Sequence, residues 1–98
     1  MTIEDFDEAV ATRRSLPVES GALLRALWHD AVGDWDAAHR LAQDVETPDG
    51  AWVHAYLHRR EGDIGNAHYW YRQANRPPHK GDLDAERRAI AAELIARD

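Results

Sequence analysis

The sequence predicts an all-α protein in which residues 1–98 form one domain of about six helices. Segments of helical length lie between glycine and proline residues, and none shows the strict alternation of a half-buried strand. The same Gly-Asp junction also occurs at two places, Gly33-Asp34 and Gly62-Asp63, each time between two apolar stripes. A chain of this length buries about two-thirds of the surface that its unfolded form exposes, so one hydrophobic core is expected.

The first three helices are predicted from capping residues and breakers. Thr2 can cap the first, which we expect to cover one end of the domain over about residues 2–14. Pro17 separates it from a second helix, and Gly33 supplies the left-handed residue that commonly ends a helix. Asp34 can then accept hydrogen bonds from the free amides of a third helix.

The last three helices follow from the same signals. Pro48 is favoured as the first residue of a fourth helix, which is predicted to run to about Glu61. Gly62-Asp63 then repeats the Gly33-Asp34 junction, in which the glycine ends one helix and the aspartate caps the next, and a fifth helix follows. Residues 76–81, Arg-Pro-Pro-His-Lys-Gly, contain too many breakers to be helical. A final helix over about residues 82–97, capped by its leading aspartate, closes the domain.

Two segments of the chain, residues 22–46 and 51–75, align without gaps at a spacing of 29. The residues of the first unit that recur identically in the second are Ala22, Ala26, His29, Gly33, Asp34, Ala38 and His39. A two-residue junction is too short to let the next helix leave the first, so each unit is predicted to fold as an antiparallel helical hairpin. The matched alanines would let its two helices approach closely.

The second unit resembles a tetratricopeptide repeat. The residues that match the pattern of that family are Ala55, Gly62, Asp63, Ala67, Tyr71 and Ala74. The resemblance implies hairpins stacked as a short α-solenoid. Two features depart from the family: the spacing is 29 residues instead of about 34, and histidines stand at the leucine-like and tyrosine-like positions His54 and His58. The region from Ala22 to Pro78 is also similar to short bacterial and fungal proteins, a likeness that implies no activity.

Repeats of this kind bind partners along the face formed by their first helices, so the resemblance implies a protein- or peptide-binding scaffold without catalysis. Transferred by position, that face holds Leu23 and Leu27 of the first unit, with Trp52, Tyr56 and Arg59 of the second. The last three lie on one helix stripe, and their residue types are enriched at binding hot spots. Alternatively, Trp52 and Tyr56 pack beneath a terminal helix as part of the core.

The histidines suggest a second class of function, a metal-dependent or histidine-based enzyme. His54 and His58 have the i, i+4 spacing that lets two imidazoles of one helix bind one ion. A zinc site needs a third and usually a fourth ligand, and the spacing does not fix His29, His68 or Glu61 in that role. The repeat instead favours structural histidines that hydrogen-bond between the paired helices of each unit. The sequence thus predicts no metal site and no cofactor, with His54 and His58 as the alternative.

Composition excludes several classes of site and partner. Lys and Arg number 12 against 18 Asp and Glu, giving a net charge of -6, so neither nucleic acid nor an anionic membrane is an expected partner. The chain has no cysteine, which excludes disulfides, thiol catalysis and thiolate zinc sites. It lacks both a run of about 20 apolar residues and a secretory pattern at its start. We therefore expect a cytoplasmic protein whose partner is another protein, a peptide or a second copy of itself.

Overall fold

The computed structural model describes residues 1–97. All regular structure in this range is helical, which confirms the predicted all-α class. The elements are α1 (Ile3–Ala11), a short 3-10 turn (Val18–Ser20), α2 (Ala22–Ala31), α3 (Trp35–Gln43), α4 (Pro48–Glu61), α5 (Ile64–Ala74) and α6 (Leu83–Ala96). Within residues 1–97, no helix has the length and apolarity needed to cross a membrane.

Within the described residues, five of the six helices begin at a residue whose side chain caps them. A side-chain oxygen accepts a hydrogen bond from a first-turn amide in α1, α3, α5 and α6, and the capping residues are Thr2, Asp34, Asp63 and Asp82. These four predicted starts are therefore confirmed. Thr47 adds a cap that the sequence analysis did not assign, because its Oγ1 accepts from the amide of Gly50, 3.0 Å away, at the start of α4.

The two repeat units each form a helical hairpin. Gly33, between α2 and α3, and Gly62, between α4 and α5, have φ of 92° and 91°. This left-handed conformation favours glycine and turns the chain back directly. Four of the matched alanines, one in each helix of the two hairpins, are fully buried, with exposures of 0–1% at Ala26, Ala38, Ala55 and Ala67. Small side chains at these positions therefore bring the helices of each pair close together.

Helix α4 is the centre of the fold. It packs against α5 within its own hairpin, against α3 of the preceding hairpin, and against α6. Every residue from Gly50 to His58 is buried, as expected for a helix covered on all sides. The contact between α3 and α4, called here the joint, links the two hairpins. The description of these hairpins as an α-solenoid stays a prediction.

Helix α6 lies across α1, α2 and α4 and is held there partly by buried polar contacts. Glu86 of α6 is only 1% exposed, and its Oε1 accepts from Arg59 Nη1 at 2.7 Å. The hydroxyl of Tyr71 donates to the other carboxylate oxygen of Glu86. An ion pair between Arg60 and Asp84, with a nitrogen–oxygen distance of 2.7 Å, adds a second link between α4 and α6. Removing either partner of the Arg59–Glu86 pair would leave a charge or a donor group without its partner.

Candidate metal centre

The face predicted to bind a partner is covered in this structure. Leu27 and Tyr56 are 0% exposed and Trp52 is 8% exposed, while Leu23 is half-buried. Arg59 is half-buried and paired with Glu86 of α6. Leu27, Trp52 and Tyr56 therefore do not form an open binding stripe, and the burial of Trp52 and Tyr56 agrees with the alternative in which they pack as core. The physical reason is that α6 packs across α2 and α4, so these large apolar side chains become core.

Three histidines instead meet at the joint between the hairpins. His39 of α3 and His54 of α4 contact each other through their Nε2 atoms, which lie 2.9 Å apart. His58, one turn after His54, stacks on it with ring centroids 4.7 Å apart. One ring nitrogen from each of the three lies within 4.8 Å of the other two. We call this group the histidine cluster.

Two tryptophans hold the rings of the histidine cluster in place. Trp35 stacks on His39 with centroids 4.8 Å apart and an angle of 11° between the planes. Its Nε1 donates to the Leu57 carbonyl oxygen at 2.7 Å, which fixes α3 against α4. Trp70 of α5 stacks on His54 with centroids 4.1 Å apart. These flat contacts leave the imidazoles little freedom to turn away from one another.

A carboxylate orients the third imidazole. Glu61 Oε1 lies 2.8 Å from Nδ1 of His58, close enough to accept a hydrogen bond from it. His58 is buried, whereas Glu61 is exposed at the end of α4. With Nδ1 protonated, the neutral ring of His58 carries its lone pair on Nε2.

Burial favours the neutral imidazoles of His39 and His54. The pKa of His54 falls from its ordinary 6.5 to about 4, because burial disfavours the charged ring and because His58 and His39 lie close by. Burial and the proximity of His58 also lower the pKa of His39, although Glu61 and Asp36 oppose that shift. At neutral pH, His39 and His54 are therefore uncharged, the form in which an imidazole binds a metal ion.

The spacing of the histidine cluster suits one ion. Two nitrogens bound to zinc at about 2.0–2.1 Å in tetrahedral geometry lie roughly 3.3 Å apart. The nitrogens of His39 and His54 are 2.9 Å apart and those of the whole group lie within 4.8 Å, so small side-chain rotations would suffice. A cavity of about 350 Å³ is lined by His54 and Trp70, among others. Water or a small ligand could thus approach one side of the cluster.

Comparison with family models, with curated proteins and with solved structures gives no match for this chain. The tetratricopeptide resemblance therefore stays a prediction.

The histidine cluster differs from both expectations drawn from the sequence. His54 and His58 do come together, but the third member is His39 and not His29 or His68. His68 is exposed on α5, and His29 packs its ring edge-on against Trp28. Equivalent hydrogen-bonded bridges within each unit are thus not what these residues form. The repeat register held a signal for His39, since it places that residue on the helix that meets the following unit.

We expect the metal-free protein to lose stability as the pH falls from about 6.5 towards 4. Folding lowers the pKa of His54, so the unfolded chain binds more protons in this range and stability rises with pH. The loss should be on the order of 2 kcal/mol, after allowance for partial solvent screening. Denaturant unfolding at stepped pH, with a chelator present, measures it. His54→Gln should flatten this part of the profile, and an unchanged profile in that variant would contradict the assignment to His54.

Proposed function

We propose that this protein binds a divalent transition-metal ion through His39, His54 and His58. The observation that carries the proposal is the convergence of three imidazole nitrogens within 4.8 Å of one another at the joint. Each ring is held in place by a neighbour: a tryptophan stacks on His39, another stacks on His54, and Glu61 contacts His58. Of these, the carboxylate on the second ring nitrogen is the contact that metal-binding histidines commonly have.

The donor set favours zinc, nickel, cobalt or copper ions. Imidazole suits these metals, whereas magnesium and calcium prefer oxygen ligands. Three protein ligands leave at least one coordination position for water or another small ligand, unlike a closed four-ligand structural site. The proposal concerns binding and assigns no reaction to the ion.

A titration tests the proposal on protein from which any histidine tag has been removed. Zn²⁺ should bind the wild type, and at a free concentration of one hundred times Kd it should stabilise the fold by about 2.7 kcal/mol. His39→Gln and His54→Gln should each weaken binding by at least about tenfold, because three ligands would fall to two. His68→Gln is the matched control, since His68 is exposed and lies outside the cluster.

Cobalt gives an independent measurement, because the visible absorption of bound Co²⁺ reports its ligands. We expect a spectrum typical of nitrogen coordination in the wild type and in His68→Gln, and its loss in His54→Gln. Equal binding by all variants, or a wild-type melting curve that added zinc leaves unchanged, would show that the cluster is a hydrogen-bonded packing element.

A protein or peptide partner, the function that the tetratricopeptide resemblance implies, stays a prediction. Such a partner would need a surface other than the covered face of Leu27, Trp52 and Tyr56.

A further inference from the structure

We infer that Glu61 is a positioning residue for the proposed ion, acting through His58. This inference rests on the proposed function and extends it to the residue that sets how His58 presents its lone pair. Glu61 would not touch the metal. Its carboxylate would hold the proton on Nδ1 of His58, so that Nε2 remains free to bind.

The first support is the contact itself. The 2.8 Å distance between Glu61 Oε1 and His58 Nδ1 is that of a good hydrogen bond, and the imidazole end is buried. An ionised carboxylate can only accept, so it selects the tautomer that is protonated at Nδ1. A carboxylate, carbonyl or water on the second nitrogen is the usual companion of a metal-binding histidine.

The second support is the place of Glu61 in its helix. It is the last residue of α4, where the negative end of the helix dipole disfavours a carboxylate. Arg59 and Arg60, in the same turn, are the residue types that suit this end. Helix stability therefore gives no reason for a glutamate at this position, whereas its contact with His58 does.

A rival arrangement uses the same residues differently. His58, Glu61 and Asp63 also place one possible ligand atom each within 4.8 Å of one another, so Glu61 could bind an ion directly. Asp63 already accepts from the Asn66 amide at 3.2 Å as the cap of α5, and Glu61 and Asp63 are both exposed. The contact of Glu61 with a buried ring favours the positioning role.

The tautomer can be measured in the metal-free protein. Nitrogen-15 chemical shifts of His58 should show the Nδ1-protonated form in the wild type and a mixture of tautomers in Glu61→Ala. Glu61→Gln should lie between them, because an amide oxygen can still accept but its NH₂ group can also donate. A wild-type ring protonated at Nε2 would overturn the inference.

Zinc affinity then separates positioning from direct binding. We expect Glu61→Ala to bind Zn²⁺ about 10- to 100-fold more weakly and Glu61→Gln to recover most of that loss. The Co²⁺ spectrum should keep its shape in both, since no ligand is removed. Glu8→Ala, an exposed charge change on α1, is the control and should bind as the wild type does.

Each contrary result has its own meaning. Wild-type affinity in Glu61→Ala overturns the positioning role. Equal losses in both Glu61 variants, with an altered Co²⁺ spectrum, would make Glu61 a ligand and also overturn it. If the wild type binds no ion, the proposed function fails and the metal role of Glu61 falls with it, while the tautomer measurement still decides whether Glu61 orients His58.

Discussion

Replacing Gly50 with alanine is expected to lower the free energy of unfolding by about 3 kcal/mol, the upper end of the range for overpacked sites. An added Cβ would lie 2.9 Å from the carbonyl carbon of Val45 and 3.1 Å from its Cβ, and closer still to the carbonyl oxygen. The nearest obstacle is backbone, which cannot turn aside as a flexible side chain can. The chain between α3 and α4 must therefore move for the variant to fold.

The same substitution tests the joint. Residues 44–47 connect α3 to α4, and Gly50 lets this connection pass closely over the first turn of α4. Moving it would shift His39 relative to His54, so zinc affinity should fall together with stability. Denaturant unfolding and zinc titration of the same samples measure both effects.

Gly65→Ala is the matched control for Gly50→Ala. Gly65 lies in α5 with open space where a Cβ would stand. Alanine is the better helix former, so this variant should gain up to about 1 kcal/mol. Equal effects of the two substitutions would contradict the steric explanation.

Replacing Arg59 with alanine is expected to cost about 3–5 kcal/mol. Arg59 pairs with Glu86, whose side chain is 2% exposed, and also donates to the Gly81 carbonyl in the loop before α6. Without the guanidinium, the carboxylate remains buried with only Tyr71 donating directly to it. A buried charge that loses its partner is among the costliest changes in a folded protein.

Two further variants test the explanation for Arg59. Arg88→Ala removes an exposed pair with Asp7 and should cost less than about 1 kcal/mol. Adding Glu86→Gln to Arg59→Ala should recover part of the loss, because the amide carries no charge and can still accept from Tyr71. If the double variant is no more stable than Arg59→Ala, the burial of charge is not the cause.

Local signals explain why so much of the fold was predictable. A cap such as Asp34 acts on amides within its own first turn, and a left-handed glycine such as Gly62 acts where it stands. Both are visible in a few consecutive letters. The short 3-10 turn at Val18–Ser20 was missed because the residues between Pro17 and α2 carry no comparable signal.

The sequence could not decide whether the predicted binding face is exposed or buried. Trp52 and Tyr56 have the residue types of a binding hot spot, but the same types fill cores. Which role they take depends on where α6 lies, and that is decided by contacts such as Arg59 with Glu86, 27 residues apart in the chain. No repeat or capping pattern reports such a distant pairing.

Only two of the three members of the histidine cluster could be paired from the sequence, for a similar reason. His54 and His58 can be recognised as a pair from their i, i+4 spacing on one helix. His39 joins them from a different helix through the joint, and only the packing of α3 on α4 brings it within reach. The repeat places His39 on the helix that meets the following unit, but it does not show that α3 packs closely enough on α4 to bring His39 to His54.

The position of His39 in the repeat also predicts how many ions the chain would bind. The histidine cluster needs the second helix of one hairpin against the first helix of the next, and within residues 1–97 this happens once, at α3 and α4. His68, the counterpart of His39, lies exposed on α5 and belongs to neither group of possible metal ligands among the described residues. Native mass spectrometry of the loaded chain should therefore show a single tightly held ion, whereas two equivalent ions would mean that the units bind independently.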